Sequence, residues 1–154
     1  MPATLPRIDE HARTVAAGVD DAWAALLASL DRDLSRGRAG RLARLLGCTD
    51  RAATGPRPLA EGSTTPGFRV TAAVPGSHLE LTGRHRFATY ALTFRIDPDG
   101  PGRSRVRAES RADFPGVTGG AYRLLVVGTR GHVLAVRRML AAIAAEAERR
   151  GRRT

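Results

Sequence analysis

The stretch GFRVTAAVPGSHLELTGRHRFATYALTFRIDPDGPGRSRVRAESRADF, residues 67–114, decides the fold. It divides into four runs of period-two alternation. Phe68, Val70, Ala72 and Val74 alternate with Arg69, Thr71 and Ala73. After the Pro75-Gly76 turn, Leu79, Leu81, Gly83, His85 and Phe87 alternate with Glu80, Thr82, Arg84 and Arg86. Tyr90, Leu92, Phe94 and Ile96 then alternate with Thr89, Ala91, Thr93 and Arg95, and the loop Asp97–Gly102 leads into the last run. There Ser104, Val106, Ala108, Ser110, Ala112 and Phe114 alternate with Arg103, Arg105, Arg107, Glu109, Arg111 and Asp113. One apolar and one charged row per run predicts an antiparallel meander, dry on one face and wet on the other. The charged rows carry both signs and can pair across strands, which uses many arginines without any partner.

Working outward from the meander, a helical stretch of about thirty residues follows Pro115-Gly116 and Gly119-Gly120. On a 3.6-residue wheel Tyr122, Leu125, Thr129, His132, Val133, Val136, Leu140, Ile143 and Ala147 share a face. Gly128 and Gly131 weaken its middle, each by about 1 kcal/mol relative to alanine, so a kink is expected there. Val127 and Leu134 fall on the outer side as a candidate homodimer contact. This helix reads as the only element long enough to cover the sheet. A sheet curled round it can enclose a cavity. The small inward residues Ser104, Ala108, Ser110 and Ala112 fit either a pocket wall or a close helix contact.

Upstream, Ile8–Ala16 reads as a first strand and Gly18 as its break. A helix opens at Val19-Asp20-Asp21-Ala22-Trp23, with acidic residues in the first turn and Val19, Trp23, Leu26, Leu27 and Leu30 facing the core. Arg36–Gly40 reads as a loop, followed by a second short helix with Leu42, Leu45 and Leu46 on one face. Thr49–Gly67 reads mostly as loop, with a short edge strand near Leu59.

Composition sets the outer bounds. A chain of 154 residues, 42% hydrophobic, predicts one globular core. The expected organisation is a flexible N-terminus over 1–6, a single domain over 7–148 and a basic tail over 149–154. No apolar run approaches the roughly 20 residues of a membrane span. Residues 1–7 lack the apolar centre of a signal peptide, and Cys48 is the one cysteine, so a reducing, cytoplasmic setting is expected. The net charge of +10 comes from arginine without any lysine, as in a GC-rich coding sequence. The arginines are dispersed, and the densest group, Arg149, Arg150, Arg152 and Arg153, reads as solvated rather than as a nucleic-acid contact.

The order strand, helix, short helix, meander, long helix resembles the helix-grip fold of the START-like (SRPBCC) superfamily. That superfamily includes polyketide cyclase/dehydrase, lipid-transport and pollen-allergen proteins. The likeness is carried by Thr14-Val15-Ala16-Ala17 with Val19-Asp20-Asp21-Ala22-Trp23, by Leu92-Thr93-Phe94-Arg95-Ile96 and by Ser104-Arg105-Val106-Arg107-Ala108. It spans roughly Arg7 to Glu148. It implies an α+β fold, a curved antiparallel sheet wrapped around a long C-terminal helix. It also implies a hydrophobic small-molecule cavity beneath that helix, catalytic in some members and only binding in many.

The sequence carries no phosphate loop, G-x-S-x-G elbow or H-E-x-x-H motif, and no metal-ligand spacing; no cofactor is expected. The inward polar residues His85, Tyr90, Tyr122, Thr129 and His132, with Phe94, Ser110 and Val136 on the same dry rows, form the candidate ligand-contact set. A histidine there can orient a carbonyl or act as a base, or can be a core residue bonded to backbone. Glu80, Glu109 and Asp113 fall on outward rows, so no inward carboxylate is expected to orient a histidine base. The leading expectation is therefore a binder of a hydrophobic or amphipathic small molecule. A cyclase- or hydratase-like enzyme comes second, and an arginine-mediated nucleic-acid or anionic-membrane contact third.

Overall fold

The structure is a computed structural model that describes residues 5–128 and 130–153. In chain order it runs β1 (Arg7–Val15), α1 (Val19–Leu34), α2 (Gly37–Leu46), β2 (Thr64–Thr65), β3 (Phe68–Val74), β4 (His78–Arg84), β5 (Thr89–Pro98), β6 (Ser104–Asp113) and α3 (Gly116–Arg123). A π-helical turn over Leu124–Gly128 then leads into α4 (Gly131–Gly151). The strands form one antiparallel sheet in the order β1-β6-β5-β4-β3-β2. The meander is thus as the alternation predicts, and the chain's first strand closes against its last. Among the described residues no helix is long and apolar enough to cross a membrane.

Cross-strand partners share a face of the sheet. Val106, Ala108 and Ser110 of β6 oppose Ile96, Phe94 and Leu92 of β5, and all six are buried on the concave side. On β1, Asp9, His11 and Val15 oppose Ser110, Ala108 and Ser104, so they too face inward. Two bulges modify the simple alternation. One, between Val70 and Ala72, sets Ala73 rather than Ala72 opposite Leu79 and turns Val74 out to solvent. The expected inward row of β3 therefore holds only as far as Val70, because a bulge inserts a residue and reverses every later side chain. The other lies between Arg7 and Asp9.

Gly83 opposes Tyr90, and a Cβ on it would collide with the Gly67 carbonyl oxygen and the Tyr90 ring. Neither neighbour is a flexible side-chain tip. Gly83→Val is expected to cost about 3 kcal/mol or more, read as a lowered urea midpoint.

Two helices, not one, cover the concave face. α1 buries Ala22, Ala25, Leu26, Leu27, Leu30 and Leu34, while α4 buries Val136, Leu140, Ile143, Ala144 and Ala147. They pack on each other and, with the strands, form one core. Alanines on both helices let the axes approach closely. Trp23 and Val19 sit at the margin of this core, half-buried. The Ala16 N–H donates to Glu148 Oε1 at 3.2 Å, which ties the end of β1 to the end of α4.

Several local expectations are corrected. The Arg36–Gly40 segment is not a loop: α2 begins at Gly37. α2 turns Ala43 inward and leaves Leu42 and Leu45 exposed, so its leucines do not form a buried face. The edge strand is Thr64–Thr65 rather than near Leu59; Leu59 is instead a buried loop residue of the core. The C-terminal helix is broken at the expected place. Its π turn bonds i to i+5 and rotates the side chains away from a 3.6-residue wheel. Leu125 is consequently exposed, and Val127 lines the interior instead of pointing away. Arg130 precedes α4 in the left-handed region, at φ 60°. α4 continues through Gly151, so Arg149 and Arg150 lie on its last turn and bind Glu146 at 2.6 and 3.0 Å. Leu5 and Pro6 are held by β6: Arg111 donates to the Leu5 carbonyl and the Ala112 N–H to the Pro6 carbonyl. The first four residues of the expected flexible segment, and Thr129, lie outside the described residues.

Candidate ligand cavity

The two covering helices leave one end of the concave face unfilled. There a cavity of about 320 Å³ opens between the sheet, α2, α3, the π turn and the start of α4. That volume falls in the range of small-molecule sites. Its wall is overwhelmingly apolar, with Leu34, Leu46, Phe68, Leu92, Val126 and Met139 among the lining residues. His85, Tyr90, Ser110, Tyr122, His132 and Val136 of the candidate set line it. Phe94 does not: it lies in the solid core between Leu79 and Ala108, fully buried. Its row is inward, but the cavity begins one residue pair further along the strand.

The polar groups of the cavity fall into two groups. At one side, His85 follows β4 in the turn to β5, and its Nδ1 accepts the Phe87 N–H at 3.1 Å. That bond assigns the neutral ring as the Nε2–H tautomer, leaving a donor on the far side of the imidazole. Tyr122 stacks on Phe87 with centroids 5.5 Å apart and meets the His85 ring edge-on at 4.9 Å. Tyr90 donates its hydroxyl to the Gly67 carbonyl at 2.6 Å, with Cys48 Sγ 3.9 Å away. The ring of Tyr90 therefore faces the cavity while its proton is used in the structure. Burial, reinforced by Cys48, pushes the Tyr90 and Tyr122 phenols up, so both stay neutral hydroxyls.

Burial holds the His85 imidazole below its ordinary 6.5. The unfolded chain then takes up that proton more readily than the folded one. The stabilisation is fully present above pH 6.5 and is lost as pH falls through the lowered folded value. His85→Gln is expected to flatten the acid-side slope of stability, measured as Tm against pH on both proteins.

The other group was not legible from the meander. Asp9 projects inward from β1 and places Oδ2 3.0 Å from His11 Nε2 and Oδ1 3.3 Å from His132 Nε2. One carboxylate thus bridges two imidazoles, and His132 belongs to the cavity wall. Ser110, opposite Asp9 on β6, also lines the cavity, and its buried Oγ has no hydrogen-bond partner among the described residues. Among the described residues no group of three metal-ligating side chains, Asp9, His11 and His132 included, is placed to hold a metal ion. The expectation that no carboxylate faces inward is corrected here. The outward rows of Glu80, Glu109 and Asp113 belong to the meander, whereas the register of β1 against β6 turns Asp9 and His11 to the concave side. Period-two alternation in β1 does not reveal it, because the row Asp9, His11, Arg13 and Val15 is more polar than its opposite row, and only the pairing with β6 sets its face.

No family model matches the chain, and no curated protein matches it. Solved structures do. The Zhui aromatase/cyclase from Streptomyces sp. R1128 superposes with a TM-score of 0.59 at 14% identity, covering 96% of each chain. A norcoclaurine synthase point mutant from Thalictrum flavum gives 0.56 at 14% identity, covering 96% of this chain and 99% of that one. CalU16 from Micromonospora echinospora gives 0.52 at 16% identity, covering 97% and 92%. The chain shares with these structures the helix-grip fold, an α+β fold with a curved antiparallel sheet and a long C-terminal helix.

Proposed function

We propose that this protein binds one hydrophobic or amphipathic small molecule in the cavity beneath the C-terminal helix. The observation that carries the reading is the cavity itself: about 320 Å³, apolar nearly throughout, with few polar groups at defined points. An apolar body in that space gains roughly 25 cal/mol per Å² removed from water. Its polar atoms have complementary partners in the His85 Nε2–H, the Tyr122 hydroxyl and the unpaired Ser110 Oγ. Native mass spectrometry of the purified protein, alone and after incubation with lipophilic compounds, tests this. A single added mass per chain is expected; a chain that retains none of them overturns the reading.

A second reading, a cyclase-like enzyme, has one specific observation behind it. The Asp9 carboxylate accepts from His132 Nε2, which leaves Nδ1 as the basic nitrogen and holds the ring at the cavity wall. Two structural neighbours are named as a cyclase and a synthase. With a turned-over substrate in hand, His132→Asn is expected to lower kcat by roughly a hundredfold or more, with Asp9→Asn following it. Unchanged rates in both variants leave binding as the function.

A further inference from the structure

We propose that the mouth of the cavity is a docking face for an anionic lipid bilayer, from which the lipophilic ligand enters. The inference extends the ligand-binding reading, but its docking step is measured without any ligand.

The mouth is marked by Leu42, which lines the cavity yet is more than half exposed. α2 stands on one side of it, and α3 with the π turn on the other. Both sides carry large aliphatic residues in water: Leu45 is 73% exposed, Val117 91% and Leu124 73%. Such residues clustered round a cavity opening need a partner surface.

Charge selects the partner. Residues 34–49 contain four arginines and no carboxylate; residues 114–145 also contain four and none. Arg38 lies one turn before Leu42, Arg41 one turn before Leu45 and Arg130 one turn before Leu134. Each pair puts a cation beside an exposed aliphatic side chain, the pattern of segments that lie in a membrane interface. Some arginines elsewhere are neutralised locally, as in Arg107–Asp97 at 2.7 Å and Arg69–Asp50 at 2.9 Å, whereas the two segments at the mouth contain no carboxylate of their own. Among the described residues Arg38, Arg41, Arg123 and Arg130 have no ion-pair partner.

A second copy fits this face poorly, since a two-fold contact would set arginines against arginines. RNA fits poorly too. Its single strands are bound by stacking on exposed aromatics, and here Phe87, Tyr90 and Tyr122 are engaged with each other and with His85. Anionic headgroups over an acyl layer satisfy both the arginines and the leucines.

The test is co-sedimentation of the full chain with vesicles of phosphatidylcholine, with and without phosphatidylglycerol. Binding is expected only with phosphatidylglycerol and is expected to weaken with salt. Arg38→Glu with Arg41→Glu should lower partitioning at least about tenfold, and Leu45→Asp with Leu124→Asp by a similar factor. None of the four lines the cavity, so uptake of a lipophilic probe from vesicle-free solution should persist in both variants; that uptake tests the cavity reading separately. Absence of binding to phosphatidylglycerol vesicles overturns the proposal, as does binding that neither pair of substitutions changes. Dimerisation or RNA binding that is lost in these variants, without vesicle binding, assigns the face to that partner instead and also overturns it.

Discussion

Replacement of Ala112 by tryptophan should abolish ligand uptake while leaving the protein folded. Ala112 lies on β6 opposite Tyr90, is buried, and lines the cavity. Because Ala112 borders the cavity, an indole there occupies the volume a ligand would take. Overpacking a solid core costs about 1–3 kcal/mol, and an indole projecting into a cavity should stay at the low end. Loss of about 3 kcal/mol of apolar contact weakens binding roughly a hundredfold. Ala108 is the control. It stands four residues earlier on the same strand, fully buried opposite Phe94 with no cavity beside it. Ala108→Trp should unfold the protein, which separates filling a void from breaking a core.

Phe94→Ala should show the opposite signature: a large loss of stability with ligand contacts intact. Phe94 is among the largest fully buried side chains, and both covering helices and strands β1, β3, β4, β5 and β6 contribute to the core that contains it. Truncating such a phenylalanine costs about 3–5 kcal/mol. Domains of this size have a total stability of about 5–15 kcal/mol, so about a fifth or more is lost. Tm should fall by roughly 10 °C. Phe94 was in the candidate ligand set because its row faces inward. A Tm change of a degree or two, together with a loss of probe affinity, would return it to the cavity wall.

These two variants mark where the sequence could be read and where it could not. The meander was legible because Ile96, Phe94 and Leu92 repeat with period two against Arg95 and Thr93, and no side-chain detail is needed to count that period. The same counting treats Phe94 and Leu92 alike. Only the placement of α1 and α4 over the sheet decides that one meets packed side chains and the other an opening. α1 carries almost as much of the covering as α4, a division that the helical pattern alone does not express, since periodicity shows that a face is buried but not against what.

The departures have local causes. A bulge after Val70 reversed the end of β3, and the π turn over Leu124–Gly128 moved Leu125 outward and Val127 inward. Both insert a fraction of a period, which a regular wheel or ladder cannot anticipate. The link between Asp9 and His132 spans 123 positions in sequence and depends on the pairing of the first strand with the last. His85 behaved as its simpler reading proposed, with one ring nitrogen bonded to backbone, but it also faces the cavity.

The most direct measurement is a titration of purified protein with a lipophilic fluorescent probe, run in parallel on the native chain and on Ala112→Trp. A saturable site of one probe per native chain, absent from the variant at unchanged fold, is the predicted result. No saturable uptake by the native chain, or equal uptake by both, would contradict a ligand cavity beneath the C-terminal helix.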